Sequence, residues 1–406
     1  MAYTIKYNPD DRYISAHEDV MFVVLEDTKP FTSTTYPNYK YVCDIYIKDA
    51  SNVETLATRL KSYPQPGTKY GVFNIGNVVR NYINTTFAPN PGAIMCQKMG
   101  ADYFYVQVIC RFGEEYNNVV YPNLVIDSQR AYFNHYNERQ YGTNTILTNY
   151  KDKLLTNRPY ATPISRNATN CFIPFFPSDD TSYNVQFRCY NKDLGFITSS
   201  SFNFTPTSGS IDELQQLNVA PGAVNSIIPG TITDIIDYYT VTLDTTNIPD
   251  DSVYRFDLVC ERKYQIKTLH FLNKLGGFES KEFIKVSRKT NEITRTGYGK
   301  PPYIINSNGS VSWFDSTTKV YQEQKTNFAS EWSDKMQLNS DLLTDAEYVW
   351  LGELLKSTMV YIEIGGYFFP VTITDTNYEE RKIINDKLTN LTVNIEFGET
   401  FNAQFR

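Results

Sequence analysis

The chain has 406 residues, of which 41% are apolar and 20% charged, and its formal net charge is −7. This balance excludes a disordered chain and allows two or three domains with hydrophobic cores. It also disfavours general nucleic-acid binding, because phosphate affinity comes from clustered Lys and Arg and the sequence has no basic run. Aromatic residues make up 15%, with 32 Tyr against 3 Trp. Tyrosine suits a pleated surface, where its ring packs and its hydroxyl stays wet. Ala and Leu are sparse, so the expected fold is mainly β: two or more β-sandwich-like domains with a small α+β C-terminal unit.

In chain order, residues 18–30 (EDVMFVVLEDTKP) and 39–48 (YKYVCDIYIK) read as buried strands. Alternation puts Tyr41, Cys43, Ile45 and Ile47 on one face of the second. NIGNVVRNYI, 74–83, reads as a short helix capped by Asn74, with Val78, Val79, Tyr82 and Ile83 on its apolar side. YFYVQVICRFGEEY, 103–116, is a strand expected to turn at Gly113. Residues 117–165, rich in Tyr and Asn and weakly periodic, read as a long excursion or inter-subunit arm. Strand signals return at CFIPFF, YNVQFRCYN and ITSSSFNF. Ser210 to Glu213 matches a capping box before a helical turn at LQQL, and APGAVNSIIPG, 220–230, reads as a linker.

From residue 237 a new strand series begins with YYTVTLDTT and SVYRFDLVCERKY. LHFLNKLGGFESKEF follows, anchored by Leu269, Phe271, Phe278 and Phe283 around a Gly-Gly turn. Residues 286–314 are polar and irregular by pattern. Thr344 to Glu347 forms a second capping box, opening a helix from Asp345 to about Lys356 that buries Ala346, Val349, Trp350 and Leu354. MVYIEIGGYFFPVTI reads as a hairpin turning at Gly365-Gly366, and LTNLTVNIEFGE as the last strand. The expected domains are 1–116, an N-terminal β-sandwich; 117–230, an excursion with further strands; 231–290, a second sandwich-like region; and 291–406, a C-terminal α+β region.

No residue set carries a recognisable chemistry, so the expected catalytic, cofactor-binding and metal-ligating residues are none. Gly276-Gly277 is followed by the alternating FESKEFIKVS and has no GK[ST], which makes it a β-turn and not a phosphate loop. His270 lacks an identifiable catalytic partner and is expected to be exposed or hydrogen-bonded. His17 and His135 lie far apart in loop-like sequence, without metal-ligand spacing. The acid pairs Asp10-Asp11, Glu114-Glu115, Asp179-Asp180, Asp250-Asp251 and Glu379-Glu380 read as solvated loops, although a distant carboxylate pair of the glycosidase kind stays open. Cys43, Cys96, Cys110, Cys171, Cys189 and Cys260 form no CxxC pair and read as buried thiols. No signal core or membrane-spanning run is found.

LHFLNKLGGFESKEF, TTKVY, LLTDAEYVWLGELLKSTMVYIE and FPVTITD resemble phrases in virion tail proteins of tailed bacteriophages that infect Bacteroidota, the crAss-like phages among them. EDVMFVV and RLKSYPQPGTKYGVFNIGNVVRNYI resemble the opening sandwich of such proteins. The resemblance directly covers a minor part of the chain and carries no catalytic signature. It implies a non-enzymatic ring or adaptor subunit of a virion tail, made in the host cytoplasm and without a cofactor. Its implied partners are copies of itself, in a six- or twelve-fold ring, and adjacent portal or tail proteins; phage DNA would pass through without specific binding. An acidic balance suits such a conduit. The alternatives are a receptor- or carbohydrate-binding tail protein and, behind it, a glycan-degrading tail enzyme.

Overall fold

The computed structural model describes residues 3–9, 13–29, 34–48, 53–83, 85–87, 89, 96–98, 105–132, 152–177, 182–205, 214–244, 253–259, 263–375 and 388–405. The fold is mainly β, with 58% strand and 8% helix in several separate sheets. The chain divides into two compact units: Met1–Glu261 with His270–Lys281, and Arg262–Leu269 with Glu282–Arg406.

The first unit opens with a sandwich. One sheet has the order β1 (Tyr3–Tyr7), β3 (Met21–Glu26), β6 (Gly71–Asn74); the other has β2 (Tyr13–Ser15), β9 (Val119–Tyr132), β8 (Tyr105–Tyr116), β4 (Lys40–Lys48), β5 (Glu54–Ser62). Their inner faces share one core, in which Phe22 meets Phe112 with ring centres 5.2 Å apart. Tyr41, Cys43 and Ile45 are buried there and Ile47 packs at its margin, the face expected from alternation, while Val42 and Asp44 on the opposite face are buried as well. Each ring so buried contributes about 1.5–3 kcal/mol.

Three local expectations are corrected here. The chain does not turn at Gly113: β8 continues past a bulge between Phe112 and Glu114, and the reversal comes at Asn117 and Asn118, both with positive φ. The reading of 117–165 as an excursion fails for 119–132, because β9 pairs with β8 over nearly its whole length. Helix α1 (Gly76–Val79) is capped at Ile75, without a side-chain bond; Asn74 lies one residue earlier, and its Oδ1 accepts from Gly76 N at 3.1 Å and Val20 N at 3.2 Å. Val79 and Ile83 are buried as expected, but Tyr82 is exposed.

The second core of this unit lies between β10 (Ala161–Ser165), β16 (Val253–Val259), β15 (Tyr238–Asp244), β12 (Tyr183–Asn191), β13 (Gly195–Phe204), in that order, and a sheet ordered β11 (Phe172–Phe175), β14 (Gln215–Asn218), β7 (Cys96–Lys98). Phe175 meets Tyr183 at 5.7 Å. LQQL is therefore strand and not a helical turn: β14 pairs antiparallel with both neighbours. APGAVNSIIPG holds helix α2 (Pro221–Ile227), whose Ala223 and Val224 enter the core. Pro221 begins this helix because a first-turn amide needs no intrahelical acceptor.

In the second unit, five strands lie in the order β23 (Val360–Ile364), β24 (Tyr367–Ile373), β25 (Leu388–Phe405), β22 (Lys325–Thr344), β19 (Arg288–Gly299). Helix α3 (Asp345–Lys356) carries the complete capping box: Thr344 Oγ1 accepts from Glu347 N at 3.3 Å, and Glu347 Oε2 accepts from Thr344 N at 3.0 Å. Trp350 and Leu354 are buried as expected. Ala346 and Val349 are exposed instead, with Tyr348 and Leu351 buried in their place. Gly365 and Gly366, with φ of 62° and 82°, close the β23–β24 hairpin. The supposedly irregular 286–314 contains the twelve-residue strand β19 and the short pair β20 (Ile304–Ile305) and β21 (Val311–Ser312).

Candidate functional site

The Gly-Gly stretch forms the hairpin of β17 (Lys267–Leu272) and β18 (Phe278–Phe283), and its His270–Lys281 portion belongs to the first unit. Asn273 N donates to Gly277 O at 2.8 Å, and Gly276 takes the left-handed conformation at φ 95°. Gly277 answers a different need: a Cβ there would lie 2.2 Å from the Pro174 ring. Asn273 Oδ1 accepts from Leu275 N and Gly277 N, each at 3.0 Å, and sets the turn.

Below the turn lies a buried polar network. Glu279 accepts from Thr156 Oγ1 at 2.8 Å and Asn273 Nδ2 at 2.6 Å, and Arg158 Nε lies 3.9 Å from it. Arg158 Nη2 donates to Ser280 O at 2.6 Å, and its guanidinium lies over the Phe256 ring at 5.4 Å. Burial, followed by the Glu279 charge, pushes the Tyr254 hydroxyl up to about 12, with Arg158 opposing. Such a paired charge is costly to bury and costlier to break.

His270 is buried, stacked against Phe87 at 5.6 Å and tilted against Phe172 at 5.2 Å, with Nδ1 2.8 Å from Ser280 Oγ. It is therefore hydrogen-bonded, as one branch of the expectation had it, but alternation does not expose it: Leu269, His270, Phe271 and Leu272 are all buried, so β17 is covered on both faces. The Ser280 hydroxyl also accepts from Phe172 N at 2.9 Å. Ser280, His270 and Glu279 have the residue types of a hydrolytic triad, but all three are buried. What this arrangement does chemically is join the 156–158 segment, β11 and the hairpin.

Glu114-Glu115 is not a solvated loop. Both carboxylates are buried on β8. Glu114 pairs with Lys29 and accepts from Tyr39 Oη at 2.9 Å; Glu115 is flanked by Lys61 at 2.5 Å and Lys40 at 3.7 Å. The Lys61 hydrogen bond holds Glu115 below its ordinary pKa. Pairing is what makes their burial tolerable. Burial pushes the neighbouring Tyr41 hydroxyl up to about 12. Cys43, Cys110, Cys171 and Cys189 are buried cysteines, and Arg158 Nη1 lies 3.7 Å from Cys171 Sγ. The Cys43 hydrogen bond and burial raise Cys110, and burial alone raises Cys189 to about 11. Among the described residues no three His, Cys, Asp or Glu side chains come together as a metal site. His17 is half-buried in a turn. His135, Cys260, the Ser210–Glu213 box and the other four acid pairs lie outside the described residues, as does the Cys96 side chain.

The outward-facing candidate is the β19–β22 ribbon of the second unit. Every residue of β19 is exposed. β22 is paired by β25 from Ala329 onward, and beyond that point only β19 pairs with it. Its far end, Met336–Leu343, is anchored by buried Met336, Leu338, Ser340 and Leu343. The loop between the strands is ordered by its own contacts: Tyr303 against Trp313 at 5.9 Å, Phe314 against Tyr321 at 5.4 Å, and Gly309 N to Asn306 O at 2.9 Å. Asp315 Oδ1 accepts from Thr317 N at 2.7 Å and Thr318 N at 3.2 Å, and these amides hold its carboxyl below the usual range. Of the thirty large apolar side chains exposed among the described residues, twelve fall between Val286 and Phe328. Trp313 is 55% exposed, Ile305 68% and Tyr321 71%. This density of exposed apolar side chains makes the ribbon loop the candidate contact surface.

No family model matches the chain. No curated protein matches it. Among solved structures, it is similar to trypsin-activated alpha-2-macroglobulin from Escherichia coli, with 8% identity and a TM-score of 0.22. That likeness covers 85% of this chain and 23% of the other, and carries no argument about fold or activity.

Proposed function

We propose that the chain is a non-enzymatic structural subunit of a bacteriophage virion tail, closing with its own copies into a six- or twelve-fold ring around the genome-ejection channel. Adjacent portal or tail proteins complete its surroundings. The observation that carries this reading is the β19–β22 ribbon, whose base is anchored and whose exposed loop concentrates aromatic and aliphatic side chains. Tyr and Trp give large, rigid contact area at low entropic cost. The resemblance to phage tail proteins supplies the setting, and three of its phrases fall on this unit: TTKVY in the ribbon loop, LLTDAEYVWLGELLKSTMVYIE across β22, α3 and β23, and FPVTITD on β24 and just beyond it.

Projection images of the purified chain test the reading. Closed rings support it; a compact monomer that hydrolyses a host glycan overturns it. A second reading, a receptor- or carbohydrate-binding tail protein, draws on the same exposed Tyr303, Trp313 and Tyr321, since aromatic faces also bind sugars. Retention on a host glycan array, with trimers in place of rings, would favour it.

A further inference from the structure

We infer that Asn308 is a site of spontaneous covalent modification, converted with Gly309 through a cyclic imide to aspartate or isoaspartate. Asn-Gly occurs once in the sequence, at 308–309. The pair lies in the turn that joins β20 to β21. Asn306 N donates to Ser310 O and Gly309 N to Asn306 O, each at 2.9 Å, with Gly309 left-handed at φ 80°. Imide formation needs the peptide nitrogen after the asparagine to reach the side-chain carbon. Glycine obstructs that approach least, and nothing lies within 4 Å of the place a Cβ would take.

The side-chain carbonyl is placed for the attack. Asn308 Oδ1 accepts from Ser310 N at 3.0 Å and from Ser310 Oγ at 2.6 Å. These donors turn the carbonyl along the chain toward Gly309, and they face the oxygen on which negative charge develops when its carbon is attacked. Asn308 is exposed, and no hydrogen bond among the described residues holds its Nδ2, the nitrogen that must leave. Asn-Ser, the next least hindered pair, occurs three times, at Asn225, Asn306 and Asn339. There Nδ2 is held: it donates to Ile232 O, Ser312 Oγ and Val286 O respectively, each at 2.7 Å. Sequence and geometry thus select the same residue.

The step needs only water. Gly309 N gives its proton to solvent hydroxide and bonds to Asn308 Cγ. The Cγ–Nδ2 bond breaks, and the nitrogen leaves as ammonia with a proton from water. Water then opens the imide. Cleavage at Cγ gives aspartate; cleavage at the Asn308 backbone carbonyl gives isoaspartate, whose main chain runs through Cγ. One water enters, one ammonia leaves, and nothing is oxidised. Either product adds a negative charge to residues 300–324, where Lys300 and Lys319 balance Asp315 and Glu323. Isoaspartate also adds a carbon to the main chain inside the turn. That displaces Gly309 N from Asn306 O and unpairs Ile304–Ile305 from Val311–Ser312.

The test ages the folded full chain at mildly alkaline pH and maps its peptides by mass spectrometry, where a gain of about 1 Da marks conversion. Asn308 should convert first, to both products, while Asn225, Asn306 and Asn339 stay intact. Ser310→Ala keeps the backbone donor and loses the hydroxyl; it should slow conversion about three- to tenfold, and Ser310→Thr should restore it. Circular dichroism and the melting temperature check that the variants are folded. Amide exchange at Gly309 and Ser310 should accelerate in the aged chain and not in equally aged Asn308→Gln. An Asn308 that stays intact throughout, or converts after Asn225 or Asn339, overturns the inference. Equal rates in the full chain and Ser310→Ala overturn the part given to the Ser310 hydroxyl. Neither result bears on the ring reading.

Discussion

The hairpin at 270–281 and the ribbon loop at 300–324 are made of similar parts: short strands, a left-handed glycine, and several aromatic side chains. Their fates are opposite. Phe271, Phe278 and His270 are buried, whereas Trp313, Tyr321 and Ile305 stand in solvent. The difference is cover. The hairpin has apolar neighbours on both faces, Phe87 and Phe172 among them, and a polar network to satisfy the groups that burial strands there. The ribbon has only its own partner strand. Aromatic content therefore says that a segment will be covered, and the fold says whether this chain does the covering.

Breaking the covered region should cost most. Glu279→Ala leaves the Arg158 guanidinium buried without its carboxylate, and should destabilise the first unit by about 3–5 kcal/mol in urea unfolding. Gly277→Val drives a side chain into Pro174 and should cost about 3 kcal/mol; Gly309→Val in the ribbon, where nothing lies within 4 Å of a Cβ, should cost only its backbone strain of about 1–2 kcal/mol. His270→Ala removes a ring wedged between Phe87 and Phe172 and a partner of Ser280, for about 2 kcal/mol by thermal denaturation. At the other extreme, Trp313→Ser should move stability by no more than about 0.5 kcal/mol. A large effect of Trp313→Ser on the monomer would erase the contrast between the two regions.

The smallest effect concerns acid. Asp315 has a folded-state pKa depressed by the Thr317 and Thr318 amides. Its contribution to the loop is therefore present above the unfolded value near ~4 and is lost as pH falls through the lower folded value. Amide exchange at Thr317 and Thr318 should accelerate in that window while the His270 hairpin amides stay protected. Equal acceleration at both would again remove the contrast.

Some of this was readable from residues alone. The Thr344–Glu347 box and the Gly365-Gly366 turn were legible because each is closed by residues within a few positions. So was the inward face of β4, although Val42 and Asp44 on its other face are buried as well. The face of α3 was misjudged: Trp350 and Leu354 fit two rotations of a 3.6-residue period, and Tyr348 and Leu351 select the one observed. Strand β19 was missed because periodicity reports burial, and a strand exposed on both faces has none to report. The polar network was illegible for another reason. Thr156 and Glu279 are 123 positions apart, and no local spacing announces such a pair.

That separation has a consequence for synthesis. The hairpin portion His270–Lys281 belongs with Met1–Glu261, so the first unit cannot be finished when its first 261 residues have been made. Arg158 and Thr156 must wait, with apolar neighbours uncovered, until Glu279 and Ser280 have left the ribosome. At about 5–20 residues per second, the twenty residues from 262 to 281 take on the order of one to four seconds. During that interval a nascent chain is exposed to mispairing and to chaperones, and a translational pause just upstream of residue 281 would lengthen it.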